Sequence, residues 1–348
     1  MPVFDGERYL AEAVESVLGQ TLEDLELVVV DDGSRDSSRA VLERFARADP
    51  RVRVIANDTN LGLRTALNLG WQEARAPYIA RLDADDVALP DRLERQVEFL
   101  DSHPAVAVVG GALIRIDAAG RRGATMRFPT GNRGIRSTLM RHSCLSHTAV
   151  VIRRSALEEV GGYRLGQAED FDLWLRLADR WQLANLSEPV ALYREHPAQI
   201  TLMTLEEQSK ATLAVLAAAR ARRAGRSDPL DASRELTPEL LERLQIGRSQ
   251  IAAHLEHHCL ERAAAYENLG HHGEAAALLA QARRTLGRRT DRTFRAALEL
   301  TRADARLSAN RPSAGAVHAV VALINAPRYA SSRLAARLLD RIHGREFS

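Results

Sequence analysis

An acidic segment, Asp83-Ala84-Asp85-Asp86, directly follows an apolar run that ends at Leu82. Because residues i and i+2 of an extended chain point the same way, the carboxylates of Asp83 and Asp85 can face one point. Such oxygen ligands suit a hard divalent cation, Mg²⁺ or Mn²⁺, and two carboxylates this close repel each other without one. The spacing predicts a metal site; the alternative is a solvated acidic turn that precedes the helix after Pro90.

A second acidic segment, Asp31-Asp32-Gly33-Ser34, also follows an apolar run. Its carboxylates can accept hydrogen bonds from ribose hydroxyls or from the imide N–H of a base, and Gly33 permits a tight turn. The alternative is a helix N-cap, for which Ser34 and Asp36 are suited.

A third pair of acids, Glu169 and Asp170, precedes an apolar helical face that includes Phe171 and Trp174. A carboxylate at the mouth of a cleft can act as a general base. Negative charge in the first turn also stabilises a helix by itself. Taken alone, this segment favours the helix-stabilising interpretation.

An alternation of strands and helices positions these acids. Apolar runs and amphipathic spacing predict strands at 25–30, 52–56, 78–82 and 106–109, and helices at 7–18, 35–48, 64–74 and 93–102. The alternation predicts an α/β fold with an open, mainly parallel sheet flanked by helices. Ligands of such sheets bind beyond the carboxyl ends of the strands, where the first two acidic segments stand.

The character of the sequence changes near residue 205. Residues 1–204 carry 25 basic and 30 acidic side chains, whereas residues 205–348 carry 23 basic and 16 acidic ones. Helical spacing dominates the second region, which predicts an α-helical extension with a hairpin over 251–286 that weakly resembles a tetratricopeptide unit. Its basic balance is compatible with a peripheral membrane contact, and a solvated helical face is the alternative.

Composition narrows the class of protein. The 348 residues are 45% hydrophobic and 27% charged, and no apolar run is long enough for a membrane span. No secretory signal is visible, and the two cysteines, Cys144 and Cys259, indicate neither a disulfide framework nor a zinc site. A cytoplasmic protein is predicted. The acidic first region lacks the basic and aromatic pattern of a nucleic-acid binder.

Several motifs occur together from Met1 to about Thr201, and in this order they resemble glycosyltransferase family 2. They are Met1-Pro2-Val3-Phe4-Asp5-Gly6, Gln20-Thr21, Val30-Asp31-Asp32-Gly33-Ser34, Asn60-Leu61-Gly62-Leu63-Arg64, Asp83-Ala84-Asp85-Asp86, Ser146-His147-Thr148, Gly161-Gly162-Tyr163, Glu169-Asp170 and Tyr193-Arg194-Glu195-His196. The resemblance implies the GT-A fold of nucleotide-diphospho-sugar transferases. Members of that family normally have an apolar strand before the opening motif, so the true start of this chain is expected upstream of Met1.

The resemblance also implies a role for each matching residue. Phe4 would stack on the donor base and Asp85 would hold the metal against the diphosphate, while Asp170 would deprotonate the acceptor hydroxyl. The other implied donor-binding residues are Pro2, Asp5, Asp32, Arg64, Asp83, Arg194 and His196, of which the last two would meet the diphosphate. His147 and Glu169 would line the acceptor side.

The implied function is inverting, metal-dependent sugar transfer from a nucleotide sugar, with UDP as the commonest nucleotide, to a saccharide or lipid-linked acceptor. Synthesis of a surface polysaccharide or lipopolysaccharide, at the inner face of the membrane, is the context implied by the family. One alternative is a non-catalytic nucleotide-sugar-binding or scaffolding protein with a helical interaction tail. A receiver-like phosphoacceptor at Asp31 and Asp32 would need a nearby lysine, and Lys210 is the only lysine.

Overall fold

A computed structural model describes residues 1–196, 204–231, 235–268, 272–286 and 292–308. They form two compact units. The first combines Met1–His196 with Lys210–Gln245, and the second takes the described residues of Pro197–Ser209 and Ile246–Ser348. The units differ from the predicted division into 1–204 and 205–348 in placing residues 210–245 with the first unit.

The first sheet of the first unit is parallel and has the order β1-β2-β3. Its strands are β1 (Pro2–Val3), β2 (Leu27–Asp31) and β3 (Val52–Ala56). Helices α1 (Glu7–Leu18) and α2 (Ser38–Ala48) connect them, and α3 (Leu63–Glu73) follows β3. Leu10, Leu42 and Val29 are fully buried in its core because each element turns an apolar face inward. The β-α alternation predicted for this region is confirmed.

The second sheet is mixed and has the order β4-β8-β6-β9-β5, with β7 paired to β6. Its strands are β4 (Tyr78–Ala80), β5 (Val87–Ala88), β6 (Val106–Ile116), β7 (Arg122–Met126), β8 (Val151–Arg153) and β9 (Gln182–Arg194). Only β6 and β9 pair in parallel here. The α/β class is therefore confirmed, but the expectation of a mainly parallel sheet is correct only for the first three strands, because short connections such as 117–121 reverse the chain.

The remaining helices of the first unit are α4 (Arg92–Ser102), α5 (Asn132–Leu139), α6 (Arg154–Val160), α7 (Glu169–Arg180) and α9 (Pro238–Arg243). Helix α8 (Leu205–Arg223) has residues in both units. The second unit contains α10 (Arg248–Asn268), α11 (His272–Leu286) and α12 (Arg292–Ser308) around a core that includes Cys259, Leu279 and Phe294. The predicted helical hairpin corresponds to α10 and α11. Residues 309–348 of the predicted extension lie outside the described residues.

A cavity of about 640 Å³ lies inside the first unit. The backbones of β2 and β4, which belong to different sheets, both border it, and Leu67, Trp71 and Leu93 give it a largely apolar wall. The expectation of a further strand upstream of Met1 stays a prediction.

No helix in the described ranges is both long enough and apolar enough to cross a lipid bilayer.

Candidate active site

Three carboxylates meet in the turn between β4 and β5. One carboxylate oxygen from each of Asp83, Asp85 and Asp86 lies within 4.8 Å of the other two. Asp86 is 1% exposed, and its Oδ2 has no hydrogen-bond partner among the described residues. Burial, followed by the charges of Asp85 and Asp83, raises the pKa of Asp86 well above its usual range. Such a set of hard oxygen donors can bind a divalent cation.

Hydrogen bonds from neighbouring segments hold the backbone and the carboxylates of this turn in position. Thr148 Oγ1 accepts a hydrogen bond from the backbone N–H of Asp83 at 3.0 Å. The backbone N–H of Arg194 donates to Asp86 Oδ1 at 2.7 Å. His196 Nε2 lies 3.0 Å from Asp85 Oδ2, which brings His196 to the carboxylate cluster.

Arg194 is buried, and its guanidinium is used within the protein. Nε donates to the Asp85 carbonyl at 2.8 Å, Nη1 to the Asp117 carbonyl at 3.4 Å and Nη2 to Glu12 Oε2 at 2.6 Å. The guanidinium carbon also lies 4.4 Å from the centroid of the Tyr9 ring. These contacts tie Arg194 to the acidic turn, and its implied role at the diphosphate stays a prediction.

The acidic turn after β2 is satisfied by its own neighbourhood. Asp32 is 3% exposed and accepts hydrogen bonds from Asn57 Nδ2 at 2.8 Å, Leu61 N at 2.9 Å and Gly62 N at 2.8 Å. Asp31 is fully buried and bonds to Arg39 Nε at 2.8 Å. Asp32 thus fixes the loop before α3 from within, in addition to any role that the resemblance implies at a donor base.

The opening loop stands beside this turn. Phe4 is 40% exposed, and the guanidinium of Arg35 lies 5.9 Å from its ring centroid. Asp5 has a φ of 50°, which aspartate tolerates better than most residues, and its Oδ1 accepts a hydrogen bond from Arg35 N at 2.7 Å. Pro2 pairs with Val30 in the first sheet. An exposed aromatic ring at this edge can stack on a planar group.

Arg64 lies in the first turn of α3. Its Nη1 donates to the carbonyl of Arg164 at 3.4 Å. The predicted donor-side residues are therefore spread over the two sheets, and the structure leaves Phe4 as the one with a large exposed apolar surface.

The two acids at the start of α7 have raised pKa values, chiefly because they are buried. Burial raises the pKa of Asp170 to about 6, opposed by the hydrogen bond from Phe171 N and by the charge of Arg81, while Asp83 adds to the increase. Burial and the charge of Asp170 raise the pKa of Glu169 to about 8. Two neighbouring residues link this turn to the acidic turn after β4: Thr148 accepts from the Asp83 N–H at 3.0 Å, and His147 lies 3.8 Å from Glu169.

His147 closes this side of the site. Its Nε2 lies 2.9 Å from the Tyr163 hydroxyl, and its Nδ1 lies 3.8 Å from Glu169 Oε1. Burial, helped by the charge of Arg81, holds the pKa of His147 well below its usual value, so the ring is neutral near pH 7. A neutral imidazole can donate one hydrogen bond and accept another, and the role of His147 on the acceptor side stays a prediction.

Sequence reasoning missed Arg81, Asp86 and Tyr163 as site residues. Arg81 is 5% exposed, and its Nη2 donates to Asp83 Oδ1 at 2.6 Å. An arginine two residues before an acidic turn is a readable signal, because a buried guanidinium needs a carboxylate nearby. Asp86 could have been found as the third acid of its segment. Tyr163 gave no signal beyond its motif.

Comparison with known proteins extends the resemblance. The family model described as Glycosyl transferase family 2 matches residues 1–161. The chain is 35% identical over 201 residues to the glycosyltransferase EpsE of Bacillus subtilis (strain 168), covering 56% of this chain and 71% of EpsE. It is 30% identical over 203 residues to the O-antigen biosynthesis glycosyltransferase WbnJ of Escherichia coli, covering 56% of this chain and 78% of WbnJ.

A third relative is the amylovoran biosynthesis glycosyltransferase AmsE of Erwinia amylovora, 35% identical over 184 residues that cover 52% of this chain and 66% of AmsE. Among solved structures, TarS 1–349 of S. aureus in complex with UDP-GlcNAc superimposes with a TM-score of 0.52 at 17% identity, covering 93% of this chain and 89% of that one. At this identity the likeness speaks for the fold. The chain belongs to glycosyltransferase family 2, as a glycosyltransferase with the GT-A fold.

Proposed function

We propose that this glycosyltransferase uses a divalent cation to move a sugar, with inversion, from a UDP-sugar to an acceptor hydroxyl in surface polysaccharide or lipopolysaccharide synthesis. One observation carries the proposal: the neighbouring residues Thr148 and His147 contact the two acidic segments, Thr148 bonding to the Asp83 N–H of the carboxylate cluster and His147 lying 3.8 Å from Glu169 beside Asp170. The names of WbnJ and AmsE, both polysaccharide-pathway glycosyltransferases, support the acceptor class.

The acidic turn fits a divalent cation. Three carboxylates supply hard oxygen ligands, and Oδ2 of Asp86 is a buried acceptor without a hydrogen-bond partner in the described part of the chain. Asp85 and Asp83 would hold the ion, with Asp86 behind them. When bound, Mg²⁺ or Mn²⁺ would neutralise charge on the departing diphosphate.

Asp170 is the proposed base. With a pKa of about 6, its carboxylate is ionised at neutral pH and still basic enough to accept the proton of an acceptor hydroxyl. As that proton moves to Asp170, the acceptor oxygen forms its bond to the anomeric carbon and the bond to the diphosphate breaks. A single displacement of this kind inverts the anomeric configuration, through an oxocarbenium-like transition state.

A donor panel tests the proposal. Purified full-length protein is incubated with UDP-, GDP- and dTDP-sugars in Mn²⁺, Mg²⁺ or EDTA, and released nucleoside diphosphate is measured. We expect release from a UDP-sugar that EDTA abolishes and added Mn²⁺ restores. For aspartate substitutions in the acidic turn, Asp91→Asn is the matched control. Asp91 is an exposed acid that forms an ion pair with Arg95 in α4.

The panel also separates the alternative. Tight donor binding without turnover under any metal condition would favour a non-catalytic nucleotide-sugar-binding protein. Release of a different nucleotide would retain the enzyme and correct the donor. The cytoplasmic location and the peripheral membrane contact stay predictions.

A further inference from the structure

A network of arginines and aspartates joins α7 to residues 222–231, and we name Arg164, Asp172, Arg176, Arg222 and Asp228 the arginine clasp. Arg164 forms a two-pronged contact with Asp172, Nε to Oδ2 at 2.9 Å and Nη2 to Oδ1 at 2.7 Å. Its Nη2 also donates to Asp228 Oδ2 at 2.8 Å, and Arg222 Nη1 donates to the same oxygen at 2.6 Å.

The clasp is largely removed from water. The Asp172 side chain is 0% exposed, that of Asp228 is 4% and that of Arg164 is 14%. Burial would raise the pKa of Asp228, yet the N–H of Leu230 and the charge of Arg164 hold it below its usual value. Charges at this depth contribute only through precise pairing, and loss of one partner leaves the others uncompensated.

The clasp also holds the loop that precedes α7. Arg176, which bonds to Asp172 at 2.9 Å, donates to the carbonyls of Val160 at 2.6 Å and Gly162 at 2.7 Å. Gly162 has a φ of 68°, and a Cβ there would lie 2.6 Å from Asn68 Oδ1, so this loop has little room to shift.

The next residue of that loop reaches the active site. Tyr163 contacts His147 through its hydroxyl. Asp172 is two residues beyond Asp170 on α7, so the clasp is attached to the part of the helix that carries the proposed base.

We propose that Asp228 is a positioning residue for sugar transfer. From a segment beyond the part that matches the family model, it holds Arg164 and, through Asp172, the first turn of α7 that carries Asp170. This inference rests on the proposed function. It also implies that residues 210–245 complete the catalytic unit.

The test compares Asp228→Asn with Asp231→Asn in the full chain. Asp231 bonds to the same arginine at 2.8 Å but is 74% exposed, so its loss should leave kcat within about twofold. For Asp228→Asn we expect kcat to fall about tenfold, while the donor dissociation constant stays within about twofold, because the one donor-side contact with the clasp among the described residues is a long 3.4 Å bond from Arg64 to the Arg164 backbone carbonyl. A general loss of structure would instead reduce donor binding and kcat in proportion, and that outcome, like an unchanged kcat, would overturn the inference.

A second variant keeps the test decisive if Asp228→Asn does not fold. Asp228→Glu retains the charge but displaces it by one methylene, and we expect a folded protein with a kcat loss between those of the wild type and Asp228→Asn. A wild-type kcat for Asp228→Glu together with an unfolded Asp228→Asn would refute positioning. Asp170→Asn is measured alongside: if it transfers sugar normally, the proposed function fails, whereas loss there with normal Asp228 variants fails only this inference.

Discussion

The acidic turns after β2 and β4 share a sequence pattern, an apolar strand followed by aspartates. Their carboxylates nevertheless have different surroundings in the structure. After β2, Asp31 and Asp32 are both buried, and donors from their own neighbourhood surround their carboxylates. Arg39 bonds directly to the Asp31 carboxylate. The first turn therefore uses its acids to build a loop.

After β4, Arg81 pairs with the Asp83 carboxylate, but the guanidinium of Arg194 contacts the turn at the backbone of Asp85. Arg194 donates to the backbone carbonyl of Asp85 and leaves its side chain to His196 and the cluster. Asp83 alone is paired with an arginine, and Asp86 keeps an acceptor without a described partner. The second turn thus differs from the first in bringing three carboxylates within 4.8 Å of one another and in keeping one buried acceptor oxygen, Asp86 Oδ2, without a described partner.

The largest expected effect comes from removing a carboxylate of the second turn. Asp85→Asn should lower metal-dependent kcat/KM about a thousandfold, equivalent to about 4 kcal/mol of transition-state stabilisation. It should leave the free energy of unfolding of the metal-free protein unchanged or slightly increased, because it relieves repulsion within the cluster. Transfer kinetics over a Mn²⁺ titration and urea unfolding in EDTA measure the two quantities. A strongly destabilised variant would show that this turn, too, is structural.

The reverse pattern is expected for the first turn. Asp32→Asn should reduce the free energy of unfolding by about 2 kcal/mol, because the amide oxygen can replace Oδ1 toward Asn57 and Leu61 but the N–H₂ group then faces the Gly62 N–H. Mn²⁺ affinity should stay at the wild-type value. Chemical denaturation and Mn²⁺ titration check both, with Asp58→Asn as a neighbouring control. Normal stability with weakened metal affinity would reverse the assignment of the two turns.

The pH dependence sharpens the comparison, since the second turn acts on an acid whose pKa is raised to about 6. Protonated Asp170 cannot accept a proton, so kcat/KM should fall about tenfold for each pH unit below about 6 and level off above it. Because the folded pKa exceeds that of the unfolded chain, the same group favours folding below pH 3.8 and loses that contribution as pH rises through about 6. Kinetic and thermal-melting profiles should therefore move in opposite directions; an acid limb retained by Asp170→Asn would contradict the assignment.

Local pattern predicted strands β2 and β3 and the helices of the first sheet, but it read the residues of β1 as a loop. The bounds of α1 agree with the predicted 7–18, because an amphipathic run is read from neighbours in sequence. The mixed pairing of the second sheet and the burial of Arg194 were not predicted. Both depend on partners far along the chain: Arg194 meets Glu12, 182 residues away. Periodicity cannot report such contacts, since packing decides them only when the chain is folded.

The smallest expected effect concerns this long-range support. Glu12 is 54% exposed while its partner Arg194 is 2% exposed, so water can replace much of what the carboxylate gives. Glu12→Gln keeps an acceptor oxygen and should lower kcat/KM by no more than about twofold, in line with the small worth of exposed ion pairs. Arg194→Lys cannot reproduce the three-way contact and should cost about tenfold, through a displaced Asp85. Steady-state kinetics of the two variants side by side decide the point: equal losses would mean that the salt bridge, and not the hydrogen bond to the Asp85 carbonyl, holds the metal-binding turn.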